Sequence, residues 1–241
     1  MKKLLLLLLL IPSFIFSQII NIETKKESNE KVFSGLIELA FDYNKSTEID
    51  WEFINSTYLR WDSDFMTILL INEIDLDRAG DKDFANDGFQ HLRISYHIND
   101  NLAIESFIQN QHDLVHNIEN RQLAGLGLRK TFLKSGIIGF STFYEHEELV
   151  DKLINDAFRL SIYNRLIFNI FKKVEFSNVL YFQPKVEDFT DYRLALGATL
   201  SIPISEKLFF TNSLNLSHDS SPAIDIPNTN YQFVNSLKYK F

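Results

Sequence analysis

The sequence predicts an all-β chain: a transmembrane antiparallel up-and-down β-barrel of about 12 strands. Three observations predict it. About twelve segments of roughly ten residues alternate apolar with polar side chains, the weak but repeated pattern of strands with one lipid-facing and one polar face. The connections between these segments are alternately short and long. The last segment carries Tyr231, Phe233, Leu237, Tyr239 and Phe241 opposite Asn230, Gln232, Ser236, Lys238 and Lys240, with Val234 breaking the alternation.

Taken in chain order, Lys2 and Lys3 precede an apolar run from Leu4 to Ile11, and the stretch closes with Phe16, Ser17 and Gln18. This pattern predicts a secretory signal peptide over residues 1–17, cleaved after Ser17. The run is shorter than the roughly 20 residues a spanning helix needs. Residues 18–30 are expected to form a short periplasmic segment, and residues 31–241 the barrel. The alternation predicts strands at 31–43, 49–61, 65–76, 88–98, 102–112, 121–133, 136–147, 157–168, 174–184, 190–202, 208–218 and 229–241. The clearest carries Leu92, Ile94, Tyr96 and Ile98 on one face and His91, Arg93, Ser95 and His97 on the other. Another sets Tyr192, Leu194, Leu196, Ala198, Leu200 and Ile202 against Asp191, Arg193, Ala195, Gly197, Thr199 and Ser201.

Barrels of outer membranes start and end on the periplasmic side, with short periplasmic turns and longer outer loops. The even connections are accordingly short: 62–64, 99–101, 134–135, 169–173 and 203–207. Most odd ones are expected to be longer, at 77–87, 113–120, 148–156 and 219–228. Aromatic residues near strand ends, Trp51, Trp61, Tyr96, Tyr192, Tyr231 and Tyr239, suit the membrane interfaces, where an amphipathic ring is favoured.

Composition narrows the function classes. The chain has no cysteine, which excludes disulfides, thiolate metal sites and a lipid-anchored cysteine. Its formal charge of −8 argues against broad binding of nucleic acid. Lipid offers no partner for charge, so the ionisable strand residues are expected to face the lumen. By parity these are Glu38, Asp42, Glu73, His91, Arg93, Glu105, Arg121, Arg129, Glu145, Glu147, Arg159, Arg165, Asp191 and Arg193. Phe107, Phe143, Tyr163 and Tyr181 share that face and narrow any opening. Both charge signs are present, so the inner wall reads either as a self-neutralising filled lumen or as a narrow water-filled passage for small solutes.

The closing strand resembles those of bacterial outer-membrane barrels, in which a terminal aromatic residue is an assembly signal. The resemblance assigns that role to Tyr239 and Phe241, with the outer-membrane assembly machinery as partner during biogenesis. The run from Gly88 through Asn101, Ala103 to Gln111, Gly125-Leu-Gly-Leu-Arg129, Gly139 to Glu147, Tyr181-Phe-Gln-Pro184, Asp191-Tyr-Arg-Leu194 and Ile226-Pro-Asn-Thr229 resemble the salt-induced outer-membrane protein family. That family is classed as a domain of unknown function. The resemblance implies the outer membrane of a Gram-negative-type bacterium and an association with salt stress, and it transfers no catalytic residue.

Enzyme readings rest on two constellations. His218 with Ser220 could serve a barrel phospholipase, which needs a serine nucleophile beside a histidine base. Asp113 with His112 and His116 could serve a rim protease. Neither has an evident third group, and six scattered histidines make no metal site, which needs three or four converging ligands. The expectation is therefore no catalytic residue, no cofactor and no metal, with membrane lipid and small solutes as partners.

Overall fold

The computed structural model describes residues 32–45, 49–79, 82–132, 135–171, 173–206, 208–224 and 226–239. The expected signal peptide, the segment 18–30 and Phe241 lie outside these residues. Twelve strands make one sheet: β1 (Phe33–Lys45), β2 (Ile49–Asp62), β3 (Met66–Ala79), β4 (Lys82–Asn99), β5 (Leu102–Asp113), β6 (Ile118–Phe132), β7 (Gly136–Leu149), β8 (Ile154–Phe171), β9 (Val174–Pro184), β10 (Tyr192–Pro203), β11 (Leu208–Asp219) and β12 (Thr229–Tyr239). Each pairs antiparallel with the next, so spatial order follows chain order throughout. A single 3₁₀ turn, Leu114–His116, separates β5 from β6. The fold is a transmembrane up-and-down barrel of the kind the alternation predicts.

Side-chain parity organises the wall. Over the body of β3 to β11 the odd-numbered residues turn inward, and Ile71, His91, Glu105, Arg121, Phe143, Glu145, Tyr163, Val179 and Arg193 are all buried. The even-numbered residues turn out, exposing Ile94, Ile104, Ile108, Leu126, Leu128, Phe140, Phe158 and Ile162. The register of β2 with β3 sets Tyr58 opposite Ile71, so even numbers face inward in β2. The register of β11 with β12 restores outward odd numbers, and Tyr231 and Phe233 are exposed. A wall with charge inside and hydrocarbon outside suits a bilayer, where every backbone N–H and C=O must be paired within a closed sheet.

The strand ends differ from the expected ones mostly on the side of the long loops; on the other side β8 runs on to Phe171 rather than 168. β3 and β4 are separated by residues 80–81 alone, where the sequence reading expects a connection of 77–87. β6 begins at Ile118 and β8 at Ile154, also earlier than expected. Ladder pairing uses backbone groups and continues where the apolar alternation stops, since a strand beyond the hydrocarbon needs no apolar face. Register shifts at Asp77/Arg78, Gln111/Asp113 and Ile118/Asn120 mark this extended region. The long connections are 185–191 and 220–228, both on that same side.

Inside, an aromatic and aliphatic band includes Tyr58, Leu69, Ile71, Phe89, Ile137, Tyr163, Val179, Tyr181 and Ala195. Two glycines let rings lie against the wall. Gly125 pairs with Phe107 on one side and Phe143 on the other, and a Cβ there would stand 2.5 Å from the Phe107 ring. Gly139 pairs with Tyr163, whose ring would be 2.0 Å from such a Cβ. Neither position tolerates a side chain unless its aromatic neighbour moves.

Candidate functional site

The inner wall brings charged side chains from many strands to two levels. The first is centred on Glu145 of β7. Its Oε1 accepts from Arg121 Nε at 2.5 Å and from Arg193 Nη1, and its Oε2 accepts from Arg159 Nε at 2.6 Å. Arg193 also reaches Glu147 at 3.0 Å and Asp219 at 2.8 Å, while Arg159 reaches Asp191 at 2.9 Å. Three guanidinium groups thus meet four carboxylates. Arg193 stands on β10 and Glu145 on β7, three strands away, so this lattice crosses part of the bore rather than lining one seam.

The second level is centred on Glu105 of β5, buried to 5% exposure. It accepts from Ser95 Oγ at 3.0 Å, from Tyr163 Oη at 2.7 Å and from Arg129 Nη1 at 3.3 Å, with Arg93 Nη1 at 3.6 Å. Tyr163 comes from β8, so this contact also spans three strands. Between the levels lie aromatic rings: His91 stacks between Phe89 and Phe107 at centroid distances of 6.0 and 5.6 Å, and Tyr163 on Tyr181 at 5.3 Å. His91 Nδ1 is also bonded to Gln109 Oε1 at 3.2 Å.

The open space is divided accordingly. A cavity of about 50 Å³ between the levels touches Arg93, Glu105, Arg121, Phe143 and Tyr163. A larger one of about 240 Å³ lies beyond the Glu145 lattice, bounded by Glu147, Arg193, Asp219 and the connection residues Ser221 to Ile224. The first has room for a few water molecules. Chemically the arrangement offers hydrogen-bond donors and acceptors of both signs on the path between the two ends of the barrel, with rings and ion pairs filling most of its width.

The residues expected to share the inner face are placed as follows. Arg121, Glu145, Glu147, Arg159, Asp191 and Arg193 meet in the first level, and Arg93, Glu105 and Arg129 in the second. His91 belongs to the aromatic stack, and Arg165 is buried on the same face of β8. Glu73 lies apart, half-buried, accepting from Ser56 Oγ at 3.4 Å. Glu38 and Asp42 lie in β1 and Tyr239 in β12, at positions whose side chains are outside the described residues.

The sequence reading misses Asp219, placed at a loop edge, and Asp75 and Asp87, and it takes Asp113 as a rim residue rather than one of the inner face. Continuing the parity of Arg193 through its register partner finds Asp219, and continuing that of Glu73 and His91 finds Asp75 and Asp87. Of the two enzyme constellations, Ser220 and His218 have separate partners, whereas Asp113 and His116 pair without His112. Ser220 Oγ accepts from the Tyr192 N–H at 2.7 Å, and His218 Nδ1 bonds Thr229 Oγ1 at 2.8 Å. Asp113 caps the 3₁₀ turn and holds the His116 ring with both oxygens at 2.8 Å, whereas His112 bonds the Glu119 carbonyl.

A family model described as a protein of unknown function, DUF481, matches residues 37–241. The chain belongs to this family. No curated protein matches its sequence. Among solved structures, the NanC porin is similar with a TM-score of 0.52 at 9% identity, over 80% of this chain and 94% of that one. The KdgM porin gives a TM-score of 0.41 at 12% identity, over 87% and 99%. At 9% identity the likeness to NanC concerns the fold alone: this DUF481 member has a porin-like barrel.

Proposed function

We propose that this DUF481 barrel is a narrow channel of the bacterial outer membrane that passes small solutes, with a bore constricted by the Glu145 and Glu105 levels. The observation that carries the reading is a polar inner wall with open space on both sides of a charged lattice, inside a wall whose outer face is apolar. Ion pairs inside the wall suit a filled lumen as well as a passage, and the open space on both sides of the lattice is what favours the passage. The outer-membrane address rests on the porin-like fold and the outward belt of Ile, Leu and Phe side chains. It includes export through a signal peptide cleaved after Ser17 and assembly through Tyr239 and Phe241. The salt-stress association comes from the sequence resemblance, and a transcript that does not rise in high salt removes it.

The filled-lumen reading is favoured by one specific feature, the cavity of about 50 Å³ between the levels. The two readings separate in planar bilayers. A channel gives small, discrete conductance steps that grow in Arg193→Ala, because one guanidinium is removed from the lattice crossing. Silence of both proteins, at full insertion verified by heat-dependent gel migration, leaves a structural barrel. Large steps typical of 16-stranded porins would contradict the constriction itself. Phospholipid or peptide hydrolysis abolished by changing His218 or His112 would make the protein an enzyme.

A further inference from the structure

A row of polar side chains crosses the outward face of the wall. Thr57, Asn72, Gln90 and Asn110 are register partners on β2, β3, β4 and β5, and Asn55 stands beside Thr57 on the same face of β2. Asn72 Nδ2 donates to Asn55 Oδ1 at 3.0 Å, Gln90 Nε2 to Asn72 Oδ1 at 3.3 Å and Asn110 Nδ2 to Gln90 Oε1 at 3.3 Å. Each of these amides thus gives one N–H to its neighbour, and a carboxamide has two. The second N–H of Asn72, Gln90 and Asn110 has no partner among the described residues. Asn55, Asn72 and Gln90 are half-buried and Asn110 is exposed.

The neighbours of the row fix its depth. On the same face of β2, Trp51 and Trp61 stand ten residues apart. At about 3.4 Å per residue and a strand tilt of about 40°, that is about 26 Å along the barrel axis, the height of the apolar band of such a wall. Asn55 and Thr57 lie at its centre. On β3, Asn72 stands between Leu70 and Ile74, with Ile68 and Leu76 beyond them on the same face. A row perpendicular to tilted strands climbs about 3 Å per strand, at a strand spacing of about 4.8 Å. Its further register partners, Gln122, His146 and Asp156, accordingly lie toward the outer end: Thr57 is five residues from the short-turn end of β2 and Asp156 fifteen from that of β8. Asn55, Thr57, Asn72 and Gln90 therefore lie in hydrocarbon, beyond the reach of water and headgroups, where unmade amide hydrogen bonds are costly.

Lipid tails offer these amides nothing, whereas a second copy of this chain offers a match on two counts. It is inserted in the same direction, so its own row lies at the same depth, and a carboxamide, being donor and acceptor at once, is complementary to itself. We propose that the β2–β5 wall is the interface of a homodimer, in which Asn72 and Gln90 of the two copies exchange amide hydrogen bonds across a two-fold axis along the membrane normal. The interface rests on the membrane position of the wall and not on conduction, so its test is independent of the channel reading.

The chain has no cysteine, so single introduced ones report cleanly. Leu70→Cys, beside Asn72 on β3, and Leu180→Cys, six strands away on β9, replace side chains of equal exposure, 39%. Each full-length protein is reconstituted in vesicles at high lipid dilution and treated with a short bismaleimide. Leu70→Cys is trapped as a dimer at least about tenfold more than Leu180→Cys. Adding Asn55→Leu, Asn72→Leu and Gln90→Leu keeps an apolar outward face and the heat-dependent gel migration of a folded barrel, yet lowers trapping at Leu70→Cys at least about tenfold. Equal trapping at the two positions, which needs no ladder variant to be read, overturns the proposal. So do unchanged trapping in the folded ladder variant, and trapping in native outer membranes only to a different protein.

Discussion

Glu145→Gln tests the central lattice most directly, because the substitution keeps side-chain volume and removes one charge. The Glu145 side chain is 3% exposed and takes bonds from three guanidinium groups. After the change Arg193 keeps Glu147 at 3.0 Å and Asp219 at 2.8 Å, and Arg159 keeps Asp191 at 2.9 Å. Arg121 loses most: it gives up its 2.5 Å bond to Glu145, keeps Glu147 at 3.6 Å, and its side chain is 1% exposed. Breaking a buried pair by removing one partner costs about 3–5 kcal/mol, mostly as the penalty of a stranded buried charge. We therefore expect a loss of about that size in equilibrium urea titrations of the refolded barrel, followed by the fluorescence of Trp51 and Trp61. If stranding of Arg121 is the cause, Arg121→Leu in the Glu145→Gln background restores stability by at least about 1 kcal/mol, a non-additivity within the range seen for contacting residues. A loss below about 0.5 kcal/mol, the level of ordinary surface changes, or strict additivity of the two substitutions, would refute the reasoning.

Gly139→Leu should push the Tyr163 ring from the wall and break its 2.7 Å bond to Glu105; a changed conductance and a lower unfolding midpoint are expected, and neither changing would show that the ring is held by something else. Leu126→Arg puts a charge on the outward face at a side chain 63% exposed, costing about 2–4 kcal/mol if that position is at mid-bilayer, as folding titrations in lipid vesicles would measure. Deleting Tyr239 to Phe241 should sharply reduce heat-modifiable protein in outer-membrane fractions, while normal yield would remove the terminal residues from assembly.

The architecture is legible in the sequence because a barrel wall is solvated differently on its two faces, and that difference is written with period two. His91, Arg93, Asp191 and Arg193 disclose their side this way without any knowledge of the fold. Strand ends are less legible, since Asp75, Asp77, Asp83 and Asp87 carry no apolar alternation, yet the backbone ladder runs through most of that stretch in β3 and β4. The pairing of charges is least legible of all. Arg193 meets Glu145 across 48 residues and Tyr163 meets Glu105 across 58, contacts set by barrel diameter and register rather than by local pattern.

The lattice has a consequence for which solutes the proposed channel could pass. A constriction plugged by apolar side chains would present no polar partner to a solute shedding its water. Here the obstruction consists of ion pairs, so a charged solute can exchange places with a side chain of like sign and leave the opposite charge bonded. A carboxylate arriving at Arg193 replaces Glu147 or Asp219 as partner, while those residues face the larger cavity of about 240 Å³ and can turn toward water. A neutral apolar solute offers no such exchange and would have to separate the pairs outright, at the several-kcal/mol penalty of buried unpaired charge. On the channel reading, small ions and polar solutes therefore pass the Glu145 level more easily than apolar ones of equal size, and the difference shrinks when Arg193→Ala removes the residue that joins β10 to β7.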